Sequence, residues 1–284
     1  MSKDIKFKLA MGQMLVEGGA LEANMNRAAS MIEEAAAQGC EGIVLPECMD
    51  VGWTHPSARE LGEPVPGKTS DILSRAASDN GIYVAAGITE RAGEKIYNTA
   101  ILVSPTGEIL LKHRKINVLT IAQDLYSIGD SLRVVETDLG VVGLDICADN
   151  FSNCSALGHS LARMGAQIIL SPSAWAVDGD HDNEEDPYGV MWRRSYKNLS
   201  RLFGITTVGV SNVGWIKSGI WEGRKCIGCS VAVGPGEEIL AQGPYGAEEG
   251  ALIVVDVELE AAVASGTAIS KMLVEKGWTD PTTH

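Results

Sequence analysis

The sequence predicts a single α/β domain with sheets sandwiched between helices, on three observations. Short apolar runs of strand character alternate with stretches of helical period. Hairpin turns interrupt that alternation. No internal repeat and no linker rich in Pro, Gly or Ser divides the chain. The 284 residues, 45% hydrophobic and 21% charged, are enough to bury a large core without disulfide staples. One domain is therefore expected over 1–284, with 260–284 as a C-terminal tail.

The elements read as follows. FKLAMGQM is a strand, and LEANMNRAASMIEEAAAQG is a helix with apolar positions at Met25, Ala28, Ala29, Ile32, Ala35 and Ala36 and a stop at Gly39. EGIVLPE is a strand ending at Pro46. TSDILSRAASDNG is a helix capped by Thr69 or Ser70 and stopped by Gly81. IYVAAGITE and YNTAILVSPTGEIL are strands, the second turning back at SPTGE. GVVGLDIC is a strand that leads into the helix NCSALGHSLARMGA. QIILSPSAW (strand), YGVMWRRSYKNLSRLFG (helix), ITTVGVSNVG, CSVAVGPGEEILAQG and GALIVVDVELE (strands) complete the chain.

Composition excludes several classes of function. A formal net charge of −14 repels polyanions, so neither nucleic acid nor an anionic membrane is an expected partner. No apolar run approaches the roughly 20 residues that cross a bilayer. The start, MSKDIKFKLAMGQM, lacks the continuous apolar core of a signal peptide, so a cytoplasmic protein with reduced thiols is expected. Cys226 and Cys229 form a C-x-x-C with no second ligand pair nearby. They are expected to be thiols in or near a buried strand, and no metal is expected.

In open α/β folds, sites gather beyond the carboxyl ends of strands. Glu47, Lys115 and Cys147 all lie at or just after strand ends. Taken singly, each has a plain explanation: a small core thiol, a loop carboxylate, one cation of a basic turn with Lys112 and Arg114. Together they supply an acyl-transfer site. A thiol with an ordinary pKa of about 8.5 is mostly protonated at neutral pH and needs a base to become a nucleophile. Glu47 supplies one and can then protonate a departing amine. Lys115 and the backbone N–H of Ala148 can hold the oxyanion, and a helix beginning just after Cys147 would favour the thiolate. No histidine is placed as an evident partner for the cysteine, with His113 the nearest to the lysine.

At these residues the sequence resembles the nitrilase superfamily of carbon–nitrogen hydrolases. GIVLPECMDVGW resembles its glutamate motif, LLKHRKIN its lysine motif and GLDICADNF its cysteine motif, in the family's order. YNTAILVSPTGEIL, MGAQIILSPSAW, SNVG and GCSVAVGPGEEIL extend the likeness from about Phe7 to Val255. The resemblance implies a four-layer αββα sandwich and a homodimer or higher homo-oligomer. It implies hydrolysis through a covalent intermediate on Cys147, with no metal or organic cofactor. A small linear amide or carbamoyl compound is the expected substrate and a nitrile the alternative.

The chain departs from the family pattern in three places. CADNFSN has Ala148 and no Pro-Glu. KINVLTIAQDLYSIGD has no second glutamate, and Asp124 is the carboxylate nearest its place. SYKNLSR has Lys197 where an acid is expected. These departures motivate a competing reading, a catalytically weak relative that acts as a binding protein. A glutaminase module serving a separate synthetase ranks last. Trp53 and Trp175 are expected pocket walls, and Trp192 a core residue. The acidic loop 178–186 is either a rim for a cationic substrate or a solvated surface loop.

Overall fold

The computed structural model describes residues 5–261 and 275–277, so most of the expected tail, 260–284, lies outside the described residues. In chain order the first half contains β1 (Ile5–Gln13), α1 (Leu21–Ala37), β2 (Gly42–Val44), α2 (Ala58–Leu61), α3 (Lys68–Asn80), β3 (Tyr83–Ala92), β4 (Lys95–Val103) and β5 (Ile109–Arg114). The second half contains β6 (Val134–Thr137), β7 (Gly140–Leu144), α4 (Ser155–Arg163), β8 (Ile168–Ser173), β9 (Ala176–Val177), α5 (Val190–Phe203) and β10 (Thr206–Ser211). It closes with β11 (Val213–Trp215), β12 (Lys225–Ile227), β13 (Val231–Val233), β14 (Ile239–Gln242) and β15 (Ala251–Leu259).

Two six-stranded sheets carry the fold. Their orders are β15-β1-β2-β3-β4-β5 and β14-β13-β10-β8-β7-β6, and a small three-stranded sheet, β11-β12-β9, sits beside them. β15 returns to pair antiparallel with β1, from Ile5 opposite Leu259 to Gln13 opposite Ala251, and so ties the two ends of the described chain together.

The period-2 alternation of the strands decides the layering. Leu9, Met11, Ala85 and Leu102 of the first sheet meet Leu144, Leu170, Val208 and Val231 of the second in one buried cluster. The opposite face of the first sheet, with Ala10, Ile43, Val84 and Ile101, packs on Met25, Ala28, Ile32, Leu73 and Ala77 of α1 and α3. Ile169 of the second sheet packs on Leu161 of α4 and Leu199, Leu202 and Phe203 of α5. The result is helix, sheet, sheet, helix, the four layers expected.

Local chemistry adjusts several boundaries. α3 is capped at Gly67 rather than at Thr69 or Ser70. Ser70 lies in the first turn, and its Oγ both accepts the Gly67 N–H and donates to the Gly67 carbonyl, at 2.9 Å each. Gly81 ends that helix in the left-handed conformation, φ 66°, where a Cβ would be strained. The expected helix after Cys147 is interrupted. Cys147–Asn150 and Ser152–Cys154 form separate 3-10 turns, split by Phe151 at ψ 148°, and α4 begins only at Ser155. α2, β6, β9, β11 and β12 are too short to show a hydrophobic period, which is why the sequence pattern does not announce them.

Candidate active site

β5 shows how the sequence sorts its cations. Strand alternation puts Lys112 and Arg114 on one face and His113 on the other, with Lys115 next after the strand. Lys112 Nζ (2.8 Å) and Arg114 Nε and Nη2 (2.8 and 2.7 Å) all donate to the carboxylate of Glu90, a buried residue of β3. Burial would raise the Glu90 pKa. Its hydrogen bonds to Arg114, Lys112 and Thr99 hold it below the usual carboxylate range instead. The basic turn is thus neutralised by its own sheet, and Lys115 alone turns into the space between the sheets, 2% exposed.

There Lys115 Nζ donates to Glu47 Oε1 at 2.6 Å, and Asn98 Nδ2 of β4 donates to the same oxygen at 2.5 Å. The second oxygen, Oε2, is buried without a protein partner. Glu47 follows β2 in a turn pinned from both sheets. The Gly87 N–H donates to the Pro46 carbonyl (3.0 Å), and the Glu47 N–H donates to the Ser173 carbonyl at the end of β8 (3.1 Å). Gly87 is required for this approach, because a Cβ there would stand 2.6 Å from Glu47 Cα. Burial lowers the Lys115 pKa, but the Glu47 carboxylate, through its charge and its hydrogen bond, drives the value up, so the ammonium stays charged.

Cys147 opens the 3-10 turn after β7 with φ 46°, a left-handed backbone that costs a non-glycine residue about 1–3 kcal/mol. Cys147 is 8% exposed. Burial raises its pKa, the Glu47 charge adds to the effect, and Lys115 and the Ala174 N–H oppose it. The net direction is upward. The resting group is therefore a neutral thiol, which corrects the expectation of a thiolate supported by a helix N-terminus. That helix begins eight residues on, at Ser155.

Asp149 fastens this turn to the lysine loop. Its Oδ1 accepts the N–H groups of Ile116 (3.2 Å) and Asn117 (2.7 Å), and its Oδ2 accepts the Ile146 N–H (3.0 Å) and lies 2.8 Å from His113 Nε2. His113 is thus committed to Asp149. Ala148 is buried beside Cys147, and its carbonyl accepts Asn117 Nδ2 at 2.6 Å. The structure brings Glu47, Lys115, Cys147 and Ala148 into one buried cluster.

The other expected residues separate. Asp124 is exposed, and its backbone carbonyl is bound by Arg59. The 3-10 turn Thr120–Ala122 carries it to the surface, so it does not take the place of a second glutamate; Tyr126, two residues on, points inward instead, its hydroxyl accepting the Thr54 N–H at 3.0 Å. Trp175 is not at a rim. It is 1% exposed, its ring stacked on Trp192 with centroids 4.9 Å apart, in the cluster that contains Cys147. Trp192 is core, as expected. Trp53 packs on Trp221 at 4.3 Å and lines a cavity with His55, Asn212, Trp215 and Cys226. Cys226 is buried, its pKa pushed up to about 12 by desolvation, with an opposing hydrogen bond from Asn212 and an upward push from the Glu47 charge.

Sequence reasoning missed Asn98 and Tyr188; Cys226 lies in a buried strand, as expected, and its place on the Trp53 cavity is what the sequence did not reveal. Tyr188 ends the acidic loop and accepts Trp192 Nε1 at 2.9 Å, and its burial and the nearby Cys147 raise its pKa. A polar residue inside an apolar strand, as in YNTAILV, is the signal that could have found Asn98. In the acidic loop, Asp178 pairs with Arg224 at 2.9 Å, and Asp182 Oδ1 accepts the N–H of Glu184 at 2.8 Å. Two of its carboxylates are thereby used locally. Among the described residues, no cluster of three or more His, Cys, Asp or Glu side chains has metal-holding geometry, and no helix is long and apolar enough to cross a membrane.

A sandwich of two sheets that buries a thiol, a carboxylate and an ammonium between its layers defines a class, and comparison with known proteins agrees. The sequence profile of the carbon–nitrogen hydrolases matches residues 8–265. The chain is 31% identical over 243 residues to a nitrilase of Pyrococcus abyssi, covering 83% of this chain and 84% of that one. It is 35% identical over 180 residues to the omega-amidase NIT2 of Xenopus tropicalis, covering 60% of this chain and 64% of the relative. The chain thus spans about two thirds, 64%, of the length of that curated relative. In fold it is similar to the amidase of Nesterenkonia sp. AN1, with TM-score 0.74 and 21% identity over 88% of this chain and 90% of that one. That solved structure carries a covalently added acetamide moiety at its active-site cysteine. The chain belongs to the carbon–nitrogen hydrolase family, within the nitrilase superfamily.

Proposed function

We propose that the protein hydrolyses a non-peptide C–N bond of a small linear amide or carbamoyl compound through a thioester on Cys147. The observation that carries this reading is the division of labour on Glu47. One of its oxygens is held by Lys115 and Asn98, and the other is left without a protein partner beside a buried neutral thiol.

Because the thiol rests protonated, attack requires a base at the moment of reaction, and Glu47 Oε2 takes the proton as Sγ bonds to the carbonyl carbon. Lys115 Nζ and the Ala148 N–H stabilise the oxyanion. Glu47 returns the proton to the amine as the C–N bond breaks, leaving the thioester. Glu47 then takes a proton from water, whose oxygen adds to the thioester carbon, and collapse releases the acid and restores the thiol. Lys115 stays cationic throughout, since its pKa is raised.

The same site would form a thioimidate from a nitrile, and the likeness to the Pyrococcus abyssi nitrilase over most of both chains favours keeping that second reading. The proposal includes a homodimer in the cytoplasm. Met164 after α4 and Val190 and Met191 at the start of α5 are exposed apolar side chains on the outer helices, which suits pairing there, and six free cysteines suit a reducing compartment. The test is a screen of short amides, carbamoyl compounds and nitriles with wild type and Cys147→Ala, with intact-mass detection of the acyl-enzyme. Turnover by wild type and not by the variant is expected. Equal turnover by both would remove the mechanism, and the preferred substrate class decides between amidase and nitrilase.

A further inference from the structure

Behind the nucleophile lies a second carboxylate to which the mechanism gives no task. Asp145 follows β7, is fully buried, and stands two residues before Cys147. Its Oδ1 accepts Asn150 Nδ2 at 2.7 Å. The same amide donates to Ser171 Oγ on β8 at 3.0 Å, and Ser171 Oγ also accepts the backbone N–H of Cys147 at 3.3 Å. The Asn150 amide therefore bridges the Asp145 carboxylate and the Ser171 hydroxyl oxygen, while Asp145 Oδ2 has no protein partner. The links run from the carboxylate to the Asn150 amide, to the Ser171 hydroxyl oxygen, and to the peptide of the nucleophile.

That peptide is the one under strain, because Cys147 holds φ 46°. The preceding N–H, of Ile146, is fixed by Asp149, whose two oxygens are fully engaged. The Cys147 N–H is held from the second sheet by Ser171. We propose that Asp145 is a positioning residue for the nucleophile: through the Asn150 amide and the Ser171 hydroxyl it fixes the Cys147 N–H, and with it the left-handed backbone that aims the thiol at Glu47. The inference rests on the reading of Cys147 as the nucleophile.

The groups facing Asp145 are Asp149 in the same turn, His113 from β5, Tyr196 from α5, Ser171 from β8 and Asn150. Burial and then the charge of Asp149 push the Asp145 pKa up to about 7, while Ser171, Asn150 and His113 oppose them. Its charge is therefore lost as pH falls through neutrality, and the nucleophile loses its anchor over that interval.

The experiment measures alkylation of Cys147 by iodoacetamide in the full-length chain, by peptide mass spectrometry, on both sides of neutral pH. Wild type, Asp145→Asn and Ser171→Ala are compared, with amide hydrolysis by wild type and Cys147→Ala in parallel. Asp145→Asn and Ser171→Ala are each expected to slow labelling by about tenfold or more, because a misaimed reacting atom is costly. Their double variant should be no slower than the slower single, as for two members of one chain of contacts. The wild-type profile should carry an acidic limb near neutrality that Asp145→Asn lacks. Wild-type labelling rates with an unchanged pH profile in Asp145→Asn would overturn the proposal. If that variant does not fold, Ser171→Ala, which removes one oxygen, decides alone, and a wild-type rate there overturns it. Amide hydrolysis retained in Cys147→Ala sinks the parent reading instead.

Discussion

Two cysteines in this molecule share almost every local feature. Cys48 follows the end of β2 and Cys147 the end of β7. They adopt φ 44° and 46°, and burial raises the pKa of both. What separates them is the company of the sulfur. Cys48 is fully enclosed, and its Sγ lies 3.5 Å from the Tyr126 hydroxyl. After burial, the leading influences on it are the charges of Glu47 and Asp50, both of which oppose ionisation. Lys115 opposes the rise at both sulfurs, but at Cys48 it ranks behind the Tyr126 hydrogen bond, whereas at Cys147 it is the leading opposing influence, the Ala174 N–H adds to it, and the residue keeps a little exposure. A strained thiol at a strand end is therefore not sufficient for chemistry. A directed backbone N–H on the sulfur and the greater weight of Lys115 there make the difference.

The comparison can be broken most sharply by exchanging the thiols for methyl groups. Cys147→Ala should lower turnover by about a thousandfold or more. Cys48→Ala should leave kcat near that of wild type and cost about 1 kcal/mol of stability, read from denaturant midpoints. A large kcat loss in Cys48→Ala would show that the two sites were assigned the wrong way round. Next in size is Glu47→Gln, which removes the base and keeps the shape. A fall in kcat of about 10²–10⁴ is expected, with labelling of Cys147 slowed alongside.

Lys115→Met tests the cation. It leaves the Glu47 carboxylate buried and unpaired, a loss of about 3–5 kcal/mol in stability. Adding Glu47→Gln to Lys115→Met should restore part of that loss, and full additivity in urea melts would argue against a coupled pair. Asp145 gives a smaller, pH-dependent effect. Its pKa rises from an ordinary 3.8 to about 7 on folding. The native state therefore holds the proton more tightly than the unfolded chain between those values. Stability should fall as pH rises across that window, by a few kcal/mol at most, and level off above it. The slope should be shallower in Asp145→Asn, and identical slopes would mean that Asp145 is not displaced from its ordinary value. Smallest is Tyr126→Phe, which removes the acceptor for the Thr54 N–H and should cost about 1 kcal/mol, with kcat unchanged.

Part of this arrangement could be read from the sequence because period and punctuation were strong. LPE, KHRK and DIC each place a reactive side chain where an apolar strand runs out, and strand alternation separates Lys115 from Lys112 and Arg114. The four layers followed from motif resemblance, and the alternation of Leu9, Ala10 and Met11 between two buried faces explains them physically. Asn98 and Ser171 were not legible, since a polar residue inside a strand has no motif of its own. Asp145 left a trace, a charge inside the apolar run VVGLDIC. Asp124 misled because nearness in sequence ignores the direction a turn imposes. The expected helix after Cys147 failed at Phe151, whose extended backbone no helical periodicity reveals.

The Glu47 N–H donates to the Ser173 carbonyl, so the base on one sheet is tethered to the strand end of the other, next to the Ala174 N–H that touches the sulfur. The step between Glu47 and the sheet that carries Cys147 is thereby bridged by a strut one hydrogen bond long. Heating or pressure that lets the two layers slide should silence the reaction centre well before the secondary structure melts, so the enzyme would act as its own strain gauge.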